Sequence, residues 1–319
     1  MSAHAPATRE AAPGYLHEVG FYGSDEDFRA LIVPFAQQGA ANGEPVIFAY
    51  DEHKTALLRN WLPETPTISY ISDASPYATP AKALGSWRTA IQRRLSAGAP
   101  RVRIAGNVPH PGYGISYVGW DRYEAAVDRA LGDLPVWAPC LYDTRIAPAD
   151  VITQARSLHQ IVLGHDGTHL TNDSYREPRR LADFRSAPAD PLELTAPAVV
   201  LAAPAPSDVR STIRDLVGDR IGRDGLDALL LAATEALVNA HRHGRAPVTV
   251  RGWLADDRVL LAVHDRGDGP ADPLVGLLPS PDAEEAGRGL WITHQLDLDV
   301  AMIADSDGFT VRIGAALAG

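Results

Sequence analysis

Three short segments in the last third of the chain combine polar side chains with glycine in patterns that suit a nucleotide site. In TEALVNAHRHG (234–244), Glu235, Asn239 and His243 recur every four residues, so a helix would present all three on one face. An acid and an amide above an Ala- and Leu-rich helix are costly to bury without partners. This segment alone is therefore either an ordinary polar helix surface or one side of a binding site.

The second segment, HDRGDG (264–269), lies at the end of the predicted strand RVLLAVHD (258–265). Gly267 and Gly269 would let the backbone approach a ligand closely. A buried Asp265 carboxylate can accept a hydrogen bond from an exocyclic amine. The alternative for this segment alone is a plain turn.

The third segment, AGRGLWITHQL (286–296), places Gly287 and Gly289 on either side of Arg288 at the start of a predicted helix. The free N–H groups and the dipole at a helix start suit a phosphate. Lysine is absent from this half of the chain, since neither of the two lysines lies beyond position 82, and no GxxxxGK[ST] sequence occurs. Phosphate contacts here must therefore use arginine, backbone N–H groups or a metal.

The elements around these segments predict an α+β layer sandwich, because helices come first and a run of strands follows them. A strand (198–204) and a helix (207–220) precede a long helix of about 224–243, which Gly244 would end as the C′ glycine. The later elements are strands at 248–254, 258–265, 299–304 and 309–314 and a short helix at 290–296.

Together and in this order, the three segments resemble the ATP site of the GHKL (Bergerat-type) superfamily over residues 198–319. EALVNAHRHG, HDRGDG and GRGLWITHQL are most similar to the anti-sigma-factor serine-kinase branch. The resemblance implies that Glu235 is the general base for a serine hydroxyl, that Asn239 holds Mg²⁺, and that Asp265 binds the adenine amine. The other implied ATP contacts, under a lid of about 270–286, are His243, Gly267, Gly269, Gly287, Arg288, Gly289 and Leu290. Among them, the two glycines after Asp265 would leave room for the adenine ring.

The resembled branch implies a cytoplasmic regulator of transcription, of the type used in stress responses, with ATP and Mg²⁺ as cofactors. Such a kinase sequesters an RNA polymerase sigma factor, phosphorylates a Ser or Thr on a STAS-type anti-anti-sigma protein, and is often a homodimer. An ATP-binding anti-sigma module without phosphoryl transfer is the first alternative. A histidine kinase needs a phosphoacceptor helix pair, whereas residues 165–200 are broken by Gly, Asn and Pro. A gyrase- or MutL-type machine would carry a transducer domain after the ATP site, and the sequence ends at Gly319.

Strand and helix patterns alternate from Tyr15 to about Gly164 and predict an α/β domain with a mainly parallel sheet. The predicted strands are 17–22, 46–50, 67–71, 101–106 and 136–142, with helices starting after the N-cap Ser24 and near 53, 80, 120 and 148. A proline-rich stretch, SAPADPLELTAPA, marks a domain boundary. The predicted organisation is a flexible tail (1–14), a first domain (15–178), a linker (179–196) and a second domain (197–319).

The first domain resembles the MEDS sensory domain through HEVGFYGSDEDF, PFAQQGAANGEPVIFAY, ASPYATPAKALGSWR, DRYEAAVDRAL and CLYD. The resemblance implies a small-molecule ligand that regulates the second domain, and a scaffold domain without a ligand is the alternative. Residues that could line the pocket are His17, Tyr22, Trp87, Tyr123, Cys140 and Tyr142. Cys140 is the one cysteine, which excludes an intramolecular disulfide and a multi-cysteine zinc site. Its thiol either packs in the core or touches a ligand.

Charge and hydropathy exclude two other classes of function. The net charge of −11 argues against direct DNA binding, which needs basic surface to neutralise phosphates. No run of 18 or more apolar residues predicts a membrane span. The first 14 residues also lack the apolar core of a signal peptide, so a cytoplasmic location is expected.

Overall fold

The computed structural model describes residues 14–71, 79–114, 120–176, 189–272, 274–278 and 288–317. It divides into two compact units, residues 1–181 and 182–319. Within the described ranges no helix is both long enough and apolar enough to cross a bilayer.

A seven-stranded sheet forms the centre of the first unit, in the order β3-β2-β4-β5-β1-β6-β7. Its strands are β1 (Leu16–Tyr22), β2 (Val46–Ala49), β3 (Ile68–Tyr70), β4 (Val102–Gly106), β5 (Val136–Asp143), β6 (Ile161–Leu163) and β7 (His169–Thr171). All neighbours are parallel except the antiparallel pair β6–β7. The predicted α/β class with a mainly parallel sheet is confirmed, although the short strands β6 and β7 were not predicted.

Helices cover both faces of this sheet. They are α1 (Asp25–Ala41), α2 (Glu52–Trp61), α3 (Pro80–Ser96), α4 (Trp120–Leu131) and α5 (Ala149–Leu158). Along β5, Leu141 packs in the cluster that contains Phe28 of α1, while the next residue, Tyr142, packs in the cluster that contains Val151 of α5. Because successive side chains of a strand point to opposite faces, β5 contributes to a hydrophobic cluster on each face of the sheet. As the sequence predicts, Ser24 caps α1, its Oγ accepting from a backbone N–H at 3.1 Å.

The second unit is an antiparallel sheet of five strands with helices on one face. The sheet order is β11-β12-β10-β9-β8, formed by β8 (Val199–Ala202), β9 (Thr249–Leu254), β10 (Arg258–Asp265), β11 (Asp299–Ala304) and β12 (Phe309–Ala316). The helices are α6 (Pro206–Val217), α7 (Arg223–His243) and α8 (Arg288–Gln295). Leu229 and Leu237 of α7 are fully buried against Val259 of β10 and Ile313 of β12. The predicted α+β layer sandwich is confirmed.

Part of the predicted linker lies on the other face of this second sheet. A 3-10 turn at Pro191–Leu194 brings Leu192 against the buried Trp253. Glu193 accepts a hydrogen bond from the guanidinium of Arg312 at 2.7 Å. Through these contacts residues 191–194 pack as part of the second unit. The domain boundaries drawn from the sequence stay predictions.

Candidate functional site

The first motif, TEALVNAHRHG (234–244), places its polar residues on one side of helix α7. Leu229, Leu237 and other apolar residues of the helix face the core, which leaves Glu235 and Asn239 partly exposed on the same side, one turn apart. His243 is the last residue of the helix and is exposed. The spacing of four predicted a shared face, and the structure places Glu235 and Asn239 side by side.

The start of helix α8 packs directly on Glu235. A Cβ added at Gly289 would lie 1.9 Å from Glu235 Oε2 and 3.1 Å from its Cγ. Only glycine lets the backbone approach this carboxylate so closely. The third motif is therefore joined to the first, and the N-terminal turn of α8, whose first N–H groups have no partner within the helix, lies beside Glu235.

Asp265, in the second motif, is the last residue of β10 and is 5 % exposed. Its Oδ1 accepts two backbone hydrogen bonds, from Gly267 N at 2.6 Å and from Arg245 N at 3.0 Å. A further backbone bond, from Arg266 N to Arg245 O at 2.8 Å, ties the loop after α7 to the end of β10. The carboxylate is thus held in one orientation by a loop distant in sequence.

Glycines pack closely around Asp265. A Cβ at Gly244 would lie 2.3 Å from Asp265 Cγ, and one at Gly308 would lie 2.0 Å from its carbonyl oxygen. Gly244 has an extended conformation, with φ −83° and ψ −170°, at the C-cap of α7. The prediction that it is the C′ glycine was wrong, because this position needs space beside the carboxylate and not a left-handed backbone.

Three of the remaining predicted ATP contacts, Gly267, Gly269 and Leu290, have packing roles in this structure. The space next to Gly267 is filled by Asp265 Oδ1, and that next to Gly269, whose φ is +75°, by the Phe309 ring. Leu290 packs on the core of the second unit. Gly287 lies outside the described residues, as does the side chain of Arg288, whose backbone begins α8. Contact of these residues with ATP stays a prediction.

Part of the predicted lid is packed down. Within 270–286 the structure describes residues 270–272 and 274–278. Leu274 and Leu277 are buried, at 4 % and 2 % exposure. Gly276, with φ +82°, approaches α8 so closely that a Cβ would lie 2.6 Å from the His294 ring. This first part of the segment is therefore docked on α8.

A second group of polar side chains lies inside the first unit. His17 of β1, Glu124 of α4, Cys140 of β5 and His159 after α5 place their ligand atoms within 4.8 Å of one another. His17 Nε2 lies 3.3 Å from Cys140 Sγ, 3.7 Å from Glu124 Oε2 and 3.0 Å from His159 Nε2. Glu124 Oε2 lies 3.5 Å from both Cys140 Sγ and His159 Nε2. We call these four residues the HECH cluster.

The charges in the HECH cluster are set by burial and by mutual contact. Burial works to raise the pKa of the nearby Asp128 carboxyl, but the charge and hydrogen bond of His17 outweigh it and bring that pKa to about 2. Burial and, to a smaller extent, the charge of His17 lower the pKa of His159 to about 4. For His17, burial acts to lower the pKa, yet Cys140 and Asp128 raise it well above its usual value. The contact with Asp128 therefore favours the protonated form of His17 over that of His159.

Comparison with protein families assigns both units. A family model described as the MEthanogen/methylotroph, DcmR Sensory domain (MEDS) matches residues 16–160. A second model, described as the histidine kinase-like ATPase domain, matches residues 204–314. The chain joins a MEDS sensory domain to a histidine kinase-like ATPase domain. No curated protein matches the chain.

The predicted pocket of the MEDS domain is divided by the sheet. His17, Cys140 and Tyr142 come together on one face, where the Tyr142 hydroxyl donates to Glu124 Oε1 at 3.2 Å. Tyr22 is five residues after His17 on β1 and packs in the cluster on the opposite face. The other two residues predicted to line the pocket, Trp87 of α3 and Tyr123 of α4, have buried side chains.

Sequence reasoning missed a polar group at the carboxyl end of the MEDS sheet, the edge where parallel sheets commonly bind ligands. Lys54, at 6 % exposure, donates to Asn107 Oδ1 at 2.9 Å and to the Tyr113 hydroxyl. Asp51 accepts from Asn107 Nδ2 at 2.8 Å. Burial lowers the pKa of Lys54, and the charge of Asp51 partly opposes this effect. The scarcity of lysine was a signal that could have singled out Lys54.

We expect Gly244→Ala to destabilise the ATPase domain by about 1–3 kcal/mol, the usual cost of forcing an extra methyl into a packed site. The new methyl would overlap the Asp265 carboxylate and lie 2.6 Å from Ala240 O. Urea unfolding of the full chain measures the change. Gly314→Ala, in strand β12 with its nearest neighbouring atom 3.4 Å from the added Cβ, is the control. Equal stability of Gly244→Ala and the wild type would contradict the packing described here.

Proposed function

We propose that the chain is an ATP-dependent protein serine/threonine kinase of the anti-sigma type, regulated by its MEDS domain. The observation that carries the proposal is the contact between Glu235 and the Gly289 backbone, which joins the first and third motifs. It puts a carboxylate beside the free N–H groups that open α8. A proton acceptor and a phosphate-binding helix start are the two groups that phosphoryl transfer to a hydroxyl requires.

The residues present fit ATP and Mg²⁺. The absence of a side chain at Gly289 lets the N-terminal turn of α8 lie directly beside Glu235, and N–H groups in such a turn suit phosphate oxygens. Asn239 offers an amide oxygen, a ligand type that Mg²⁺ accepts. Asp265 Oδ1 is used by backbone N–H groups, so Oδ2 is the oxygen that would accept from the adenine amine. When bound, Mg²⁺ neutralises charge on the phosphates.

In the proposed reaction the hydroxyl of a Ser or Thr on the partner is oriented by Glu235. The hydroxyl oxygen forms a bond to the γ-phosphorus, the bond to the β–γ bridging oxygen breaks, and ADP leaves. The hydroxyl proton passes to the Glu235 carboxylate. N–H groups at the start of α8 hold the phosphate oxygens in place while this happens.

Serine or threonine is favoured over histidine as the acceptor by the chain that precedes the ATPase domain. Between α5 and α6, the described residues 161–176 and 189–205 form short strands and a single 3-10 turn. This part of the described chain has no pair of long helices to present a phosphoacceptor histidine. His169 lies on β7, with Nδ1 2.7 Å from Glu18 Oε2, which suits a structural contact.

The proposed partners are an RNA polymerase sigma factor and a STAS-type anti-anti-sigma protein. The test is reconstitution of the full chain with purified sigma factors and STAS-type proteins of the source organism. We expect nucleotide-dependent binding of one sigma factor and transfer of phosphate to one STAS-type protein. Sigma-factor binding without any transfer would favour the alternative, an anti-sigma module that binds ATP but does no chemistry. Absence of both would overturn the proposal.

A further inference from the structure

The HECH cluster brings together four side chains from separate parts of the MEDS domain. Three of its residues are nearly inaccessible, with exposures of 6 % for His17, 2 % for Glu124 and 1 % for His159. Burying several ionisable groups in one place is unfavourable unless something compensates their charge. The domain nevertheless directs all four donor atoms at a common centre, which suggests that a positive charge belongs there.

The distances fit a tetrahedral metal ion. Metal–ligand bonds of about 2.0–2.3 Å, as zinc makes to nitrogen, oxygen and sulfur, place ligand atoms about 3.2–3.8 Å apart. Four of the five separations given above, from 3.3 to 3.7 Å, lie in this range, and the fifth, between the two Nε2 atoms, is slightly shorter at 3.0 Å. The sixth, between Cys140 and His159, falls within the common limit of 4.8 Å.

The outer hydrogen bonds point the imidazole lone pairs inward. His159 Nδ1 is 2.7 Å from Ala155 O, and a carbonyl can only accept, so Nδ1 carries a proton. His17 Nδ1 donates likewise to Asp128 Oδ1 at 3.0 Å. The two Nε2 atoms then face each other at 3.0 Å, where a shared proton or a cation must lie between them.

Both of these outer contacts are of the kind that orients metal ligands. A carboxylate or a backbone carbonyl on the far nitrogen of histidine fixes the ring and raises its basicity. The Asp128 carboxylate is itself held by the Tyr15 hydroxyl at 2.6 Å, and Glu124 Oε1 accepts from Tyr142. A second layer of partners therefore supports three of the four ligands.

We propose that His17, Glu124, Cys140 and His159 form a binding site for a divalent transition-metal ion of the zinc type. Two imidazoles, one thiolate and one carboxylate favour Zn²⁺ over the hard cations Mg²⁺ and Ca²⁺. With four protein ligands the site is closed, as structural zinc sites are. Metal binding releases the proton of the Cys140 thiol and the proton shared by the two histidines. The bound ion links β1, β5, α4 and the end of α5.

The test is direct metal binding by the full chain, made without a polyhistidine tag. Elemental analysis should find one zinc per chain after purification without chelator. Co²⁺ added to the chelator-treated chain should give the intense visible bands of tetrahedral cobalt and a thiolate-to-metal charge-transfer band. These readouts use the wild type, so they stand even if a ligand variant fails to fold. Substoichiometric metal, or cobalt bound without the thiolate band, overturns the proposal.

Substitutions in the chain distinguish residues that bind the metal from residues that only orient a metal ligand. Cys140→Ser should abolish the charge-transfer band and weaken Co²⁺ binding by at least about 100-fold. Asp128→Asn should keep the band but weaken binding by about 10- to 100-fold, the usual effect of losing an orienting carboxylate. His53→Gln, an exposed histidine on α2, is the matched control and should bind as the wild type does. Unchanged affinity in Cys140→Ser would contradict the assignment, which does not depend on the kinase activity.

Discussion

Glu235→Gln should reduce phosphate transfer to the partner protein by about 10²–10⁴-fold, the usual contribution of a positioned general base. The amide keeps the size of the side chain, so its packing against the Gly289 backbone is preserved. It cannot take the hydroxyl proton, because an amide oxygen is far less basic than a carboxylate. ATP affinity should change little, since Glu235 acts on the incoming hydroxyl in the proposed reaction. Sigma-factor binding should likewise persist.

The control for this variant is Asp227→Asn, which removes an acid from an exposed position two turns earlier on the same helix. Its transfer rate should match the wild type. A second comparison, Asn239→Ala, should weaken ATP binding and transfer together, because Asn239 is proposed to hold Mg²⁺. If Glu235→Gln transfers phosphate at the wild-type rate, the carboxylate is not the base.

Asp265→Asn should weaken ATP binding by about 10- to 100-fold, which corresponds to the loss of a charge-assisted hydrogen bond of about 1.5–3 kcal/mol. The structure fixes how the amide would lie. Oδ1 must keep accepting from Gly267 N and Arg245 N, so the new NH₂ group replaces Oδ2. A donor would then face the adenine amine, which is also a donor. Calorimetry with Mg²⁺ measures the loss.

The donor introduced by Asp265→Asn should also change which purine nucleotide the domain prefers. Inosine triphosphate carries an acceptor oxygen where ATP carries the amine, so the Asp265→Asn variant should lose much of its preference for ATP over inosine triphosphate. Asp268→Asn, three residues along and exposed, should keep the wild-type preference. An Asp265→Asn protein with wild-type ATP affinity would remove this residue from the site.

Local periodicity was enough to predict most elements and the faces they present. The spacing of Glu235 and Asn239 predicted a shared helix face, and the short apolar run in RVLLAVHD predicted a strand that ends at Asp265. Both patterns depend only on residues a few positions apart. The strand at His169–Thr171 escaped prediction because three residues are too few to reveal an alternating pattern.

Contacts between distant parts of the chain could not be predicted in this way. Gly244 and Gly308 are explained only once their backbones are seen against Asp265. The HECH cluster joins His17 to His159 across 142 positions, and the strand order determines that meeting. The pocket predicted from residue type grouped Tyr22 with His17 and Cys140, whereas the strand period of two places Tyr22 on the opposite face of the sheet.

Transfer of phosphate from radiolabelled ATP is the direct test of the proposed serine/threonine kinase activity. The full chain and its Glu235→Gln variant would each be incubated with Mg²⁺, γ-labelled ATP and the purified STAS-type proteins of the source organism. The proposed activity predicts acid-stable label on a serine or threonine of one of these proteins with the wild type, and at least about 100-fold less with the variant. Acid-labile label on the chain itself, or no label on any protein with the wild type, would contradict it.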